Sequence, residues 1–387
     1  MSPEEALILF LDFYKAFDCL EIPFLLRTLQ IFGFGSNFCN TIEMLYNDIN
    51  SSVALNNGSS TRFPIKRGIR QGCPISPLLF ILSAELLAIY LKNLPTLKGI
   101  DILGREFKIS QFADDTALFL KNREMVSVAI DSVKLFSKAS GLTLNVNKCE
   151  LISIHGNGPN NIASIPVKEE VKYLGLQITK NKQNRENLNI SPRLKAVQKC
   201  LNHWLTRDLS ILGRILLSKA EGMSRLIYPC QSIYASQNTI KSANSIIFNF
   251  IWRNKTHYLR KSQLVKDYPN GGLRAMEFES VIASFRVKWL KECITHPESI
   301  WYHIPNKLFE RVGGVEFLLK CDFEVPKIPI KLSNFHKQAL LFGKMLFTHN
   351  FSPHNSFLWN NRVITINRKS IFKLTGLLKE QLLFLFY

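Results

Sequence analysis

The stretch ALILFLDFYKAFD, residues 6–18, decides how this chain is read. Ala6 to Leu11 is an unbroken apolar run of strand length that stops at a carboxylate, Asp12. Continuous rather than alternating hydrophobicity is the pattern of a strand covered on both faces. A charge at the end of such a strand is costly unless something partners it. It is read either as a helix N-cap or turn former, or as a group held by a cation. A second acidic feature, Asp114-Asp115, follows Phe112-Ala113 between two short apolar arms of Lys108–Lys121, which predict a hairpin. Adjacent carboxylates repel and raise one another's pKa unless a cation holds them. Neighbours on a strand point to opposite faces, but at a tight turn that alternation fails and both can address one site. Hard oxygen donors suit Mg²⁺ rather than zinc. Three carboxylates on two Mg²⁺ ions form a clamp for in-line phosphoryl transfer. Taken alone, an Asp-Asp pair in a turn is equally a structural feature.

Working outward, Pro23 opens a predicted helix that stops near Gly33, with Pro first and Gly last. Ser36 is placed to cap a second helix with Phe38, Ile42, Leu45 and Tyr46 on one face. Ser52–Lys66 reads as a hairpin turning at Asn57-Gly58. Pro77–Leu91 is a strongly apolar helix, Met125–Ala139 a second, Gly141–His155 a returning strand, and Val171–Thr179 a short strand or hairpin. The character changes near residue 180: Lys180 to Lys219 holds nine basic residues and two acidic ones. Helical patterning runs from Leu194 to Phe250, and Trp252–Lys266 is again basic and aromatic. Strands interleaved with helices, then a basic helical half, predict an α+β portion followed by an α portion.

Composition agrees. The 387 residues are 46% hydrophobic with 28 Phe, which excludes general disorder and suggests two or three domains. Lys and Arg outnumber Asp and Glu by 49 to 30, a formal charge of +19, which points to a polyanionic partner. The eight cysteines form no Cys-x-x-Cys pair, and His257 and Cys293 lack zinc-ligand spacing, so they read as reduced packing residues with no disulfide-linked partner. The start, Met1-Ser2-Pro3-Glu4-Glu5, is not laid out as a signal peptide. The longest charge-free apolar stretch considered, Gly72–Ala84, has 13 residues and is cut by Glu85, so no membrane span is expected. The expectation is an intracellular protein of nucleus or cytoplasm, not a secreted one.

Five motifs in order carry a family resemblance. Leu11–Asp18 resembles motif A of reverse transcriptases, Arg67-Gly68-Ile69-Arg70-Gln71-Gly72-Cys73-Pro74-Ile75-Ser76-Pro77 motif B, and Phe112-Ala113-Asp114-Asp115 motif C. Gly141–Lys148 is similar to motif D and Lys172-Tyr173-Leu174-Gly175 to motif E. The flavour is that of LINE-type (non-LTR) retrotransposon polyproteins. Leu212-Gly213-Arg214, Phe250-Ile251-Trp252 and Gly271-Gly272-Leu273 also resemble the region after the palm in those proteins. The resemblance covers residues 1–290 and implies a right-hand polymerase palm, an antiparallel sheet with helices and truncated fingers, followed by a mainly α-helical thumb and C-terminal region. The implied division is 1–180 palm with partial fingers, 181–290 basic thumb, and 291–387 without an assigned role.

The resemblance implies roles residue by residue. Asp12, Asp114 and Asp115 would hold two Mg²⁺ ions, or Mn²⁺, with the backbone carbonyl of Phe13 as a further ligand. Phe17 matches the steric gate against a 2′-hydroxyl; its plain alternative is core packing. Arg70, Gln71 and Gly72 match the loop that lies on the incoming nucleotide, where Gly permits close backbone approach and Gln offers both donor and acceptor. Lys148 matches a lysine assigned as proton donor to pyrophosphate; its alternative is a solvated surface lysine. Leu174 and Gly175 would form the primer grip, while Lys15 and Asp18 take local structural roles. Arg193, Lys195, Lys199, Arg207, Arg214 and Lys219 are the expected phosphate contacts on a hybrid read by shape and backbone. Trp204 and Trp252 are core residues or base-stacking platforms. RNA template, DNA primer and dNTPs are the implied partners. The family's fingers region before motif A is expected to be missing, as in an N-terminally truncated element copy. The rival readings are a non-catalytic nucleic-acid-binding remnant and an intron-encoded maturase.

Overall fold

Strand β1 (Leu7–Leu11) is the centre of the first unit, Met1–Lys180. The computed structural model describes residues 5–154, 159–320 and 324–347, with the backbone of 365–366 and 369–370. Met1–Glu4, His155 and Cys321, which the sequence reading touched, lie outside the described residues. Short helix α1 (Ala16–Cys19), α2 (Ile22–Ile31), α3 (Ser36–Tyr46) and α4 (Ser76–Asn93) follow β1. Next come β2 (Ile109–Phe112), β3 (Asp115–Leu120), α5 (Glu124–Ser140), β4 (Glu150–Ser153), β5 (Glu170–Tyr173) and β6 (Leu176–Thr179). The main sheet is antiparallel in the order β4-β1-β3-β2.

The unbroken apolar run of β1 is explained by burial on both faces. Leu7, Leu9 and Leu11 join Leu118, Leu120 and Leu151 in a core that also takes Leu25 and Leu29 of α2, Phe80 and Leu87 of α4, and Val126 and Val133 of α5. Ile8 and Phe10 face the other way, where Val171, Tyr173 and Ile178 of the β5–β6 hairpin cover them. Helix α4 is long and apolar enough, by length and composition, to cross a bilayer. Its Leu79, Phe80, Ala84, Leu87 and Leu91 are buried in this core, while Leu78, Ile81 and Ile89 on its other face are exposed.

Several local expectations are corrected. Gly35, not Ser36, precedes α3, and the Ser36 hydroxyl caps nothing. Cys39, Ile42 and Tyr46 bury the face of that helix, while Phe38 and Leu45 are exposed. The hairpin in residues 50–64 pairs Leu55 with Gly58, so its two-residue turn is Asn56-Asn57, one position before the Asn57-Gly58 expected. Residues 141–155 are not one strand. Leu144 makes a single bridge to Phe13, Val146–Lys148 is a 3₁₀ turn, and only Glu150–Ser153 joins the sheet.

The second unit, Asn181–Tyr387, is helical among its described residues apart from the short pair Thr365–Ile366 and Lys369–Ser370. Its helices are α6 (Asn184–Asn189), α7 (Ser191–Trp204), α8 (Ile211–Leu217), α9 (Ser224–Ser232), α10 (Gln237–Ile251), α11 (Lys261–Val265), α12 (Phe278–Thr295), α13 (His303–Glu310), α14 (Val315–Lys320) and α15 (Asn334–Phe347). A π-helical turn, Ser218–Met223, joins α8 to α9. One core gathers around Phe248, Phe250 and Phe278, and another around Phe309 and Leu340. Arg286, fully buried, crosses this interior without a carboxylate among the described residues. Its guanidinium donates to the carbonyls of Cys230 (2.8 Å) and Ile233 (2.8 Å) and to Gln338 Oε1 (3.0 Å), over the Phe335 ring. Burial lowers its pKa to about 10. The two units differ sharply in charge: residues 1–180 hold 18 basic and 17 acidic side chains, residues 181–387 hold 31 and 13.

Candidate active site

The site is built where β1 ends. Leu11 pairs with Thr116 and Phe112 with Asp115. Extending the β1–β3 register by one residue sets Asp12 opposite Asp115. Ala113 in the left-handed region (φ 53°) turns the β2–β3 hairpin, leaving Asp114 at its tip. Asp114 and Asp115 are exposed and Asp12 half-buried. The Asp115 carboxyl is pushed above the usual range by partial burial, then by the charges of Asp114 and Asp12. The three carboxylates flagged in the sequence thus lie at one end of the main sheet, Asp12 opposite Asp115 and Asp114 at the hairpin tip.

The chain after Asp12 is fixed from two sides. On one, Asn145 N–H donates to the Asp12 carbonyl (2.8 Å), Tyr14 N–H to Thr143 (2.9 Å) and Glu21 N–H to Ser140 (2.9 Å). Gly141 (φ 77°) makes this approach possible, because a Cβ there would lie 2.3 Å from the Cys19 carbonyl oxygen. On the other side, Gly68 N–H donates to Leu20 (2.7 Å) and Ile69 N–H to Phe17 (2.8 Å). Gly68 (φ 89°) is again indispensable, with a Cβ falling 2.7 Å from the Asp18 carbonyl oxygen. Residues 12–21 are thus the common seam of the motifs resembling A, B and D. The sequence reading quoted Gly68 and Gly141 without assigning them this role. The signal available was the glycine at the second position of the motif resembling B and the glycine that opens the motif resembling D.

The remaining expected residues are placed as follows. Gln71 Nε2 donates to Asp18 Oδ1 (3.2 Å), tying the loop to the helix beside Asp12. Arg70 is exposed and its guanidinium reaches the Leu45 carbonyl (3.4 Å). Gly72 has φ 86°, but a Cβ there would meet nothing within 4 Å. Backbone conformation, rather than close approach, requires glycine at 72, and the close approach belongs to Gly68. Phe17 is half-buried and stacks on Phe80 with ring centroids 4.4 Å apart. Lys15 adopts φ 40° before α1, and its carbonyl accepts from Asp18 N–H (2.9 Å). Phe13 is buried and bridges to Leu144. Lys148 is exposed on the 3₁₀ turn.

Leu174 (φ 48°) and Gly175 (φ 75°) form the two-residue β5–β6 turn, with both central residues left-handed as a type I′ hairpin needs. Next to them, Tyr173 packs on Phe10 and its hydroxyl lies 3.4 Å from the carbonyls of Ser110 and Asp115. Burial raises the Tyr173 phenol pKa. The sequence reading quoted Tyr173 but gave it no role.

In the second unit, Lys195 and Lys199 are exposed one turn apart on α7, and Arg207 is exposed beyond it. Lys219 is half-buried in the π turn. Arg193 donates to the Asn189 carbonyl (2.6 Å). Arg214 is a correction. Its Nε donates to Ile251 (2.6 Å) and a second nitrogen to Leu209, so its guanidinium clamps backbone carbonyls rather than presenting itself to a phosphate. Trp204 and Trp252 both pack against the first core of this unit, the packing alternative of the sequence reading.

Among the described residues, no three His, Cys, Asp or Glu side chains stand together as a ligand set. The donor chemistry at Asp12, Asp114 and Asp115 is nonetheless that of a hard divalent cation. It is all carboxylate oxygen, and a positive charge there would offset both the partial burial and the neighbouring negative charges that raise Asp115.

Residues 2–178 match the family model described as reverse transcriptase (RNA-dependent DNA polymerase), and they carry a reverse transcriptase domain. Among curated proteins, the relatives this domain resembles include Pol polyproteins of R2 retrotransposable elements. The chain is 31% identical over 206 residues to the retrovirus-related Pol polyprotein from type-2 retrotransposable element R2DM of Drosophila melanogaster, covering 49% of this chain and 19% of that protein. It is 27% identical over 247 residues to the Pol polyprotein from type-1 retrotransposable element R2 of Popillia japonica, covering 61% and 34%. The transposon TX1 uncharacterized 149 kDa protein of Xenopus laevis is 23% identical over 324 residues, 79% of this chain and 24% of that one. The chain thus spans 19% to 34% of the length of these relatives. Apo telomerase from Candida tropicalis overlaps coarsely, at 13% identity and a TM-score of 0.42, over 78% of this chain and 53% of that one.

Proposed function

We propose that this chain performs RNA-directed DNA synthesis, the attack of a primer 3′-hydroxyl on the α-phosphate of a dNTP with release of pyrophosphate. The observation that carries the reading is the placement of Asp12 opposite Asp115, with Asp114 beside it, at one end of the sheet, where partial burial and then the charges of Asp114 and Asp12 raise the Asp115 carboxyl. These three carboxylates would hold two Mg²⁺ ions, with the Phe13 carbonyl as a further ligand. Bound there, Mg²⁺ supplies charge neutralisation at the attacking and leaving oxygens. The chain's own contribution is positioning. The pairing of β1 with β3 sets Asp12 against the hairpin, and the seam of residues 12–21 holds the chain after it in place. Gln71, braced on Asp18, and Gly72 present the loop that lies on the nucleotide. Phe17, held flat on Phe80, is the gate against a ribose 2′-hydroxyl. Leu174 and Gly175 hold the primer, and Lys148 protonates the departing pyrophosphate. Lys195, Lys199 and Arg207 contact the phosphates of the RNA–DNA hybrid.

The test is extension of oligo(dT) on poly(rA) with Mg²⁺ and dTTP. Asp114→Asn is expected to lower extension by at least about 10²-fold while hybrid affinity stays within about twofold. In the same assay Phe17→Ala is expected to admit ribonucleotides. Equal extension by Asp114→Asn would remove the metal assignment, and unchanged sugar selectivity would remove the gate. Absent extension by wild type, with salt-sensitive hybrid binding, would favour the remnant instead.

A further inference from the structure

The segment after α10 is used by none of the roles above. Arg253 (φ 57°) and Asn254 (φ 55°) are consecutive left-handed residues that turn the chain sharply out of the helix. The turn is closed by Asn254 N–H on Asn249 (2.7 Å) and Lys255 N–H on Trp252 (2.9 Å). Trp252 is packed on the core and touches two rings, His257 near-parallel at 6.1 Å and Tyr258 edge-on at 5.7 Å. Tyr258 is thereby braced while remaining 77% exposed.

The following loop is equally fixed. Leu264, buried in α11, accepts from the N–H groups of Leu273 and Ala275 (3.0 Å each). Gln263 Nε2 donates to the carbonyls of Asn270 and Gly271 (3.2 Å each). Gly272 lets the backbone pass Lys266, since a Cβ there would lie 1.9 Å from its carbonyl oxygen. Tyr268 sits on this frame, 55% exposed, with the Arg274 guanidinium 5.1 Å from its ring centroid.

The charge on this surface is unbalanced. Residues 253–274 hold six Lys or Arg and one acid, Asp267. Asp267 is paired with Arg274, and Arg253 with Asp208. Lys255, Arg260, Lys261 and Lys266 form no ion pair among the described residues, and Lys261 lies over the Phe248 ring. Two exposed aromatic rings on a rigid frame, among cations without carboxylates, suit unstacked bases and the phosphates that link them. A duplex offers no base faces to such rings. A membrane surface would ask for a longer amphipathic helix, and α11 has five residues.

We propose that residues 253–274 are a docking surface for single-stranded nucleic acid, with Tyr258 and Tyr268 stacking on bases and Lys255, Arg260 and Lys266 holding phosphates. The surface lies wholly within the second unit and does not depend on the carboxylate site.

The test is fluorescence anisotropy of the full chain with labelled oligo(U) and oligo(dT) of about 12 nucleotides, beside a blunt RNA–DNA hybrid. Tyr258→Ala/Tyr268→Ala is expected to raise the single-strand Kd by about 10- to 100-fold, with the hybrid Kd within about twofold. Tyr258→Phe/Tyr268→Phe is expected to bind as wild type, because the ring faces remain. Lys255→Gln/Arg260→Gln/Lys266→Gln should lower the salt slope for the single strand by roughly two to three. A tighter Kd for oligo(U) than for oligo(dT) would identify RNA as the strand held; the reverse would identify DNA. Asp114→Asn is expected to bind single strands normally, so loss of the polymerase reading and loss of this one are separable. The proposal is overturned if the alanine pair leaves single-strand binding intact, or weakens the hybrid equally. It is also overturned if the tyrosines matter only for binding phosphatidylserine vesicles.

Discussion

At the residue scale, Asp115 records the conflict between folding and chemistry. Its carboxyl is raised by partial burial and by Asp114 and Asp12, so ionising it opposes folding. A carboxyl raised in the folded state contributes stability at low pH that is lost as pH rises through its folded pKa. Asp115→Asn removes that loss. In EDTA at pH 7 the variant is expected to melt about 1–2 °C above wild type, the exposure of the group keeping the effect under 1 kcal/mol. Near pH 3, about where ordinary carboxyls are protonated, the two should converge, and Mg²⁺ should raise the melting temperature of wild type alone. A lower melting temperature for Asp115→Asn at pH 7 would mean that the carboxylate makes net favourable contacts. The acidic residues stood out in sequence only jointly: alone, each has a ready structural explanation as a cap or turn former, and the order of the motifs is what set them apart. Tyr173 was not assigned. Its hydroxyl meets Ser110 and Asp115 at separations of 63 and 58 residues, and no local pattern reports a contact that distant.

At the scale of elements, β1 was readable because both of its faces are buried, and α4 because one long face, from Leu79 to Leu91, is buried at helical spacing. Where a segment is half-exposed the reading slipped, as at α3, where Phe38 and Leu45 face solvent. Residues 141–149 read as a strand from their apolar content, but the structure uses them as a seam along Asp12–Glu21. The requirement for that seam is carried by Gly141. Gly141→Ala would place a methyl 2.3 Å from the Cys19 carbonyl oxygen at φ 77°. The expected cost is about 2–4 kcal/mol, combining left-handed strain with displacement of a backbone neighbour. It is read as a fall in urea midpoint together with loss of extension, since Asn145 N–H would leave Asp12. A control, Gly72→Ala, carries the same backbone strain but meets nothing within 4 Å, and should cost only about 1 kcal/mol. Equal falls in urea midpoint for the two substitutions would show that the seam is not what Gly141 serves.

At the scale of the whole molecule, the charge is segregated. With 18 basic against 17 acidic residues in 1–180 and 31 against 13 in 181–387, the excess of +19 lies almost entirely in the second unit. A nearly neutral unit can keep three carboxylates without a general cationic field drawing nucleic acid onto every face. A basic unit can supply affinity through phosphates without reading sequence. Affinity and chemistry should then separate in kinetics. Lys195→Gln/Lys199→Gln/Arg207→Gln removes three exposed cations and leaves every residue of the first unit unchanged. If each meets a phosphate of the hybrid, the dependence of log Kd on log salt should flatten by roughly two to three. KM for the hybrid at fixed ionic strength should then rise about 10-fold or more, while kcat stays within about twofold. Arg214 offers the contrast. Its guanidinium is committed to the Ile251 and Leu209 carbonyls, so Arg214→Gln should lower thermal stability with little change in salt slope. Should the triple variant lower kcat as much as it raises KM, the exposed lysines and arginine would be positioning the primer terminus, and the division between a neutral chemical unit and a basic binding unit would not hold.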